Sequence, residues 1–288
     1  MTGKISYILY LILKLINNII KSIFDKNLLL YFYTFISEDS YIKINILGKK
    51  INFYAPNHLI RFRLNTFWTK EPETLEWIRS FKNKNKIIFW DIGANIGLYS
   101  IYASLYHRKK SEILSFEPSI NNTRILARNI NINNLQSKIT LITIPVGSKK
   151  LSINSFFDNS FIEGSAFNNL ETNEIKNKHK NIQNNSYKVL TSSLDQLVVL
   201  GKLKIPNFIK IDVDGNEYEI LNGAKKILSS PELSSILVEL DENDKRKSGK
   251  VIKLLKKNKF VIKSINKSLL FKSNNAYIKN YIFEKIKK

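Results

Sequence analysis

The sequence contains no cysteine. Disulfides, thiolate-bound metals and a cysteine nucleophile are therefore excluded. It has three histidines, His58, His107 and His179, with no i,i+4 pair. A histidine metal site is not expected, and each reads as a surface residue. No arginine-rich stripe with interleaved aromatics appears, so the usual footprint of an RNA binder is absent. There is no internal repeat. The uninterrupted apolar stretch Ile5–Leu13 is too short to cross a bilayer, which takes about 20 residues. No small-residue cleavage site follows it, so a signal peptide is not expected.

The 288 residues suffice for one α/β domain with a sizeable core. The formal charge of +22 invites a nucleic-acid or anionic-membrane reading. The lysines are spread along the chain, however. Lysine, asparagine and isoleucine are over-used together, as an A/T-rich genome would encode them. Codon bias thus accounts for the charge, and nucleic acid is not the expected partner.

Past Leu13, Lys14, Asn17, Asn18 and Lys21 gather on one helical side, opposite Leu11, Leu15, Ile19 and Ile20. Residues 5–24 read as an amphipathic helix that docks on the domain or a partner, or lies on an anionic membrane surface. A true span is the third alternative. The expected location is the cytoplasm, and peripheral contact with the inner membrane face through this helix is one of these alternatives.

The run Ile87-Ile88-Phe89-Trp90-Asp91-Ile92-Gly93-Ala94-Asn95-Ile96-Gly97 is the most informative. An apolar strand ends in an acid, and a glycine turn opens a helix. That places a small-molecule site at the mouth of a parallel sheet. A dinucleotide loop would use G-x-G-x-x-G; here the spacing is G-x-N-x-G. Asp91 would repel a pyrophosphate but suit the sulfonium and ammonium of S-adenosylmethionine. A second strand, Glu112–Phe116, ends at Glu117, where a carboxylate can take two ribose hydroxyls. Either ligand has a ribose, and a solvated strand end is the bland alternative for Glu117. A third strand runs Phe208-Ile209-Lys210-Ile211 into Asp212-Val213-Asp214-Gly215. Lys210 and Asp212 share one strand face by the period of two.

Asp91-Ile-Gly-Ala-Asn-Ile-Gly97, Ser115-Phe-Glu-Pro118 and Lys210-Ile-Asp-Val-Asp-Gly-Asn-Glu217 together resemble the FkbM family of S-adenosylmethionine-dependent methyltransferases. Pro145-Val-Gly147, Ser193-Leu-Asp195, Leu221-Asn-Gly-Ala224, Val238-Glu239 and the helix around Lys70–Ile78 extend the resemblance over residues 60–285. Asp214 stands where the family has glutamate. The resemblance implies a Rossmann-like class I methyltransferase fold: seven mostly parallel strands, an antiparallel last strand and helices on both faces. It implies S-adenosyl-L-methionine as cofactor. Asp91 and the backbone of Gly93, Ala94, Asn95 and Gly97 would hold its methionine portion and Glu117 its ribose. Asn122, Val146 and Ser148 would assist.

Catalysis needs a proton acceptor at the strand rim. Asp212 is the first candidate, with Lys210 to orient it or steady an alkoxide. Glu239 is second and His58 a distant third. A structural or donor-binding acid (Asp212) and a plain ion pair (Lys210) are the bland alternatives. Asp212 with Glu239 could hold Mg²⁺, but no spacing demands it, and no metal ligand is assigned.

The organisation expected is a helical segment over 1–40, a hairpin and helix over 41–85, and the methyltransferase domain over 86–288. The hairpin reads as Tyr41–Leu47 with Lys50–Tyr54, and Arg61–Lys70 as a polar-aromatic connector. Glu71 reads as a helix cap, and Glu217–Leu228 as one helix. An insertion over 151–189 is expected as a hairpin with a mobile middle, Asn168–Asn185. The expected activity is O-methylation of a sugar hydroxyl in surface polysaccharide, glycolipid or a related small molecule. The alternatives are an RNA ribose methyltransferase and an inactive binding module on the same fold. Base N-methylation is disfavoured, because Asp212-Val-Asp-Gly replaces the N/D-P-P-aromatic signature.

Overall fold

Side chains of the first parallel strand alternate between two cores. In the computed structural model, which describes residues 2–166, 168–170, 185–267 and 277–286, Ile87 and Phe89 pack into one apolar cluster. Ile88, Trp90 and Ile92 pack into the other. A strand buried on both faces needs a near-continuous apolar run, which is what these residues supply.

The chain begins with helices α1 (Thr2–Phe24) and α2 (Leu28–Glu38), then the hairpin β1 (Tyr41–Ile46) and β2 (Lys49–Tyr54). Helices α3 (His58–Asn65), α4 (Phe67–Lys70) and α5 (Pro72–Arg79) lead to β3 (Ile87–Ile92), α6 (Leu98–His107), β4 (Ser111–Phe116), α7 (Ile120–Ile132) and β5 (Ile139–Ile142). A small sheet follows: β6 (Ser152–Phe157), β7 (Asn169–Leu170) and β8 (Ser186–Thr191). The remainder is α8 (Leu194–Gly201), β9 (Phe208–Ile211), α9 (Glu217–Asn222), α10 (Lys225–Ser229), β10 (Ser235–Asp241), α11 (Lys245–Lys257), β11 (Phe260–Lys267) and β12 (Ile278–Lys285).

Seven strands form one sheet in the order β11-β12-β10-β9-β3-β4-β5. From β10 to β5 neighbours are parallel; β12 runs antiparallel to both β10 and β11. The expected sheet with its reversed last strand is therefore present. Helices α5, α6 and α7 cover one face, and α8 to α11 cover the other. In α5 the expected Leu75, Trp77 and Ile78 are buried, and Trp77 Nε1 donates to Ser235 Oγ at 2.9 Å.

The β1–β2 register pairs Ile46 with Lys49, leaving Leu47 and Gly48 as a two-residue turn with φ of 53° and 76°. Two positive φ values suit the right-handed twist of a tight hairpin. The hairpin is tied to the domain through Asn129. Its Oδ1 accepts from the Tyr54 N–H at 2.9 Å, and its Nδ2 donates to Ile96 O at 2.9 Å.

The polar-aromatic connector is helical: α3 is capped by Asn57 Oδ1, which accepts from the Ile60 N–H at 2.9 Å. Three expectations change. Glu71 makes no side-chain cap; it is fully buried and faces inward. The helix expected over Glu217–Leu228 breaks into α9 and α10 at Gly223-Ala224. There a Cβ on Gly223 would lie 2.1 Å from Gly147 O, so the backbone must stay bare to let the two loops meet. Finally, α1 does not dock on the domain, because Asn17 is its one buried residue among those described. The insertion does form an antiparallel pair, β6 with β8. Of its expected mobile middle, residues 171–184 lie outside the described residues.

Candidate active site

The C-terminal edges of β3, β4, β9 and β10 open onto one cavity of about 490 Å³, within the roughly 300–1,000 Å³ of small-molecule sites. Glu117, Lys210, Asp212 and Glu239 all line it, with Gly93, Ala94, Asn95, Asn122 and Val146. Asp91, Gly97, Ser148 and His58 do not. His58 is exposed at the start of α3, and His107 is half-buried, its Nε2 2.8 Å from Ile78 O rather than on the surface. His179 lies outside the described residues.

Strand register explains the acid cluster. Asp91 sits beside Lys210 across the β3–β9 pair, and Leu237 beside Lys210 across β9–β10. Glu239, two residues past Leu237, thus stands next to Asp212. Lys210 Nζ donates to Asp212 Oδ2 at 2.7 Å and lies 4.9 Å from the Tyr99 ring centroid. Burial alone would lower the Lys210 pKa, but Asp212, Asp91 and Glu71 overcome it and hold it above the ordinary lysine value. Lys210 therefore stays charged and cannot accept a proton. Burial would raise the Asp212 pKa; Lys210 and Lys70 reverse that and hold it well below the usual carboxylate range. Glu239 goes the other way. Burial, with Asp212 and Glu71 nearby, pushes it well up, so it keeps its proton and can donate to Asp212. Two carboxyls with opposed pKa values mark out which one is the ionised acceptor.

Asp91 has a different position. It is fully buried, and its Oδ2 accepts from Ser100 Oγ at 2.6 Å, which in turn accepts from Ser115 Oγ at 2.7 Å. It anchors the start of α6 to the sheet rather than facing the cavity. Burial raises its pKa above the ordinary aspartate value, opposed by Lys210.

Glu117 closes the donor loop. Its Oε2 accepts from the Asn95 N–H at 2.8 Å and its Oε1 from the Ser119 N–H at 2.9 Å. Each oxygen retains a lone-pair direction. Burial pushes its pKa up to about 7 against these two hydrogen bonds.

Gly93 and Gly97 adopt left-handed φ of 83° and 88°. A Cβ on Gly93 would lie 1.9 Å from Asp212 O, so this glycine lets the β3 and β9 loops touch. At Gly97 the obstacle is the Leu126 methyl at 2.3 Å, which can rotate away. Both glycines thus make room for neighbouring protein. Gly93→Ala is expected to cost about 3 kcal/mol and to abolish donor binding. Gly97→Ala should cost clearly less. Thermal unfolding with donor titration measures both, and equal losses would contradict this account.

Further side chains reach the site from outside the three strand-end motifs. Glu71 accepts from Tyr99 OH at 2.8 Å and pairs with Lys70 Nζ at 2.5 Å. Burial would lower the Lys70 pKa, but Glu71, Asp212 and Glu239 raise it. The start of the insertion forms another wall. Ser165 O accepts from Asn95 Nδ2 at 2.8 Å and Asn122 Nδ2 at 3.1 Å, and Asn122 Oδ1 accepts from the Gly164 N–H at 2.8 Å. Arg63 Nε donates to Gly164 O at 2.6 Å. Asn122 is therefore committed to holding this wall. Among the described residues, no group of three or more His, Cys, Asp or Glu side chains is placed to hold a metal ion.

Residues 91–262 match the family model of the Methyltransferase FkbM domain, more than half of the chain. The chain belongs to this family. The matched residues begin at Asp91 itself and end in β11, so the hairpin, the connector helices and β12 lie outside them. A curated relative, the hexuronic acid methyltransferase AglP of Haloferax volcanii, is 28% identical over 153 residues. That match covers 53% of this chain and 55% of the relative, so the chain spans about half the relative's length. Among solved structures, a precorrin-6y C5,15-methyltransferase from Geobacter metallireducens is 16% identical with a TM-score of 0.44, covering 75% of this chain and 87% of that one. An S-adenosylmethionine-dependent O-methyltransferase from Thermotoga maritima is 10% identical with a TM-score of 0.46, covering 86% and 78%.

Proposed function

We propose that the protein is an S-adenosylmethionine-dependent O-methyltransferase acting on a sugar hydroxyl of a surface polysaccharide, glycolipid or related small molecule. The observation that carries this reading is the gathering of Glu117, Asp212 and Glu239 around one cavity next to the Gly93–Asn95 loop. The residues present fit the donor. Glu117 offers both oxygens to a ribose diol. Asn95 Oδ1, buried and without a hydrogen-bond partner, leaves an acceptor for an amine. When bound, S-adenosylmethionine supplies a methyl group already activated by its sulfonium.

The chain's own residues would then do two things. The backbone at Gly93–Asn95 and the Glu117 carboxylate would fix the donor, and alignment of reactants is worth about 7–11 kcal/mol. Asp212 would take the acceptor hydroxyl's proton. Its low pKa is no obstacle, because the oxygen becomes strongly acidic as its new carbon bond forms. Lys210 holds Asp212 in place and keeps it ionised. Asp91 would act through the loop rather than by touching the donor. The name of the Haloferax relative supports a sugar acceptor.

The test incubates the protein with methyl-labelled donor and extracts of glycans, lipids or RNA from the same organism. A labelled methyl, located by mass spectrometry on a saccharide oxygen, is the expected outcome. Label appearing in RNA alone would replace the sugar reading with ribose methylation, and failure to bind donor at all would leave a binding module.

A further inference from the structure

Helices α1 and α2 touch the rest of the protein at few points. Asn17 Oδ1 accepts from the Leu29 N–H at 3.0 Å, which fastens the two helices together. Ser37 Oγ and Tyr54 OH, 2.7 Å apart, join α2 to the hairpin. No residue of α2 is buried, and Tyr33 and Ile36 are 66% and 64% exposed.

Two features indicate what covers this surface. The first is its circumference. Leu30, Tyr31, Phe32 and Tyr33 are consecutive and all exposed, and four consecutive residues circle a helix. The stretch from Ile8 to Ile12 does the same on the first half of α1. A protein partner buries a stripe of a helix, whereas hydrocarbon accepts apolar side chains on every side. The second feature is charge. On the second half of α1, Lys14 and Lys21 share a side with Asn17 and Asn18, away from the exposed Leu15 and Ile19. That pattern suits anionic headgroups. By length and composition α1 could cross a membrane. Lys14, however, falls near the middle of the helix, where a charge is costliest in hydrocarbon. In the second half of α1, one-sided lysines fit a segment lying in the interface.

We infer that α1 and α2 seat the protein on an anionic lipid bilayer, lying in one leaflet with Lys14 and Lys21 at the headgroups. This inference stands apart from the methyl-transfer reading, since it needs neither donor nor acceptor.

The cysteine-free sequence allows single spin labels on the full chain, through Ile12→Cys, Ile19→Cys, Lys14→Cys and Lys21→Cys. The probe surface is vesicles of phosphatidylcholine with phosphatidylglycerol. The protein should float with them. Labels at positions 12 and 19 should lose access to an aqueous nickel chelate and gain contact with lipid-dissolved oxygen, while labels at 14 and 21 stay accessible to the chelate. Combining Ile8→Glu, Ile12→Glu and Ile19→Glu should lower the vesicle-bound fraction about tenfold or more, with donor affinity unchanged. Three results would overturn the inference. The protein could fail to float. It could form a lipid-free dimer that the same glutamates dissociate, which would make a second copy the cover. Or the label at position 14 could become buried, which would mean a span.

Discussion

Asp212→Asn should keep donor binding and lose about 10²–10⁴-fold in methyl transfer, the usual contribution of a positioned proton acceptor. The substitution preserves shape and leaves an oxygen to accept from Lys210 Nζ, now 2.7 Å from the carboxylate. Lys210 retains Asp91 beside it across the strand pair, so the buried cation is not left uncompensated. Turnover is therefore the property that should change. Calorimetry would measure donor affinity, and label incorporation into the accepting extract would measure transfer. If turnover stayed within tenfold of wild type, Asp212 would be a structural acid. Glu239 is a weaker candidate, because the free protein holds it protonated. Glu239→Gln, which preserves a donor to Asp212, should therefore be the milder change of the two.

The second large effect concerns Glu117 and has opposite signs for stability and for binding. In the folded protein burial raises its pKa to about 7 from an ordinary value near 4.5. Folding thus favours the neutral acid. The associated stability is fully present below the unfolded value and is lost as pH rises through about 7. Glu217, also pushed to about 7 by burial, contributes with the same sign. Donor binding runs against this. A ribose diol donating two hydrogen bonds, and a cationic donor, both favour the carboxylate. Below about pH 7 the protein must release a proton to bind, so affinity should weaken by up to tenfold per unit as pH falls. Glu117→Gln separates the two. It should bind donor about 10²-fold more weakly at pH 8 and lose the pH dependence of affinity between pH 5 and 7. Its thermal midpoint should also vary less with pH than that of wild type. Donor titrations in buffers of different ionisation enthalpy would count the released proton directly. An unchanged pH profile in Glu117→Gln would show that another group controls donor binding.

The rim acids could be found without coordinates because strand physics is local. Glu117 follows an apolar run and precedes Pro118, and Lys210 and Asp212 share a face because side chains alternate along a strand. A parallel sheet then delivers such strand ends to one edge whatever the loops do. Depth sets Asp91 apart. It shares the face of Lys210 and Asp212 but sits inside the strand, level with Lys210, where Ser100 Oγ of α6 donates to its carboxylate. The glycine motif was likewise readable as a close approach, but not its partner, since Asp212 O is far away in sequence.

By itself the sequence determined the parallel strands, the loop after β3 and the carboxylates at their ends, because apolar periodicity and turn chemistry act over a few residues; the seven-stranded sheet with its reversed strand followed from the family resemblance. Tertiary structure alone decided the rest. It brought Glu71 and Lys70 from the connector, and Ser165 from the insertion, against the strand ends. It also divided the protons between Asp212 and Glu239, and left α1 undocked. Those outcomes depend on which surfaces meet across long stretches of chain, and on the burial and charge each group then encounters.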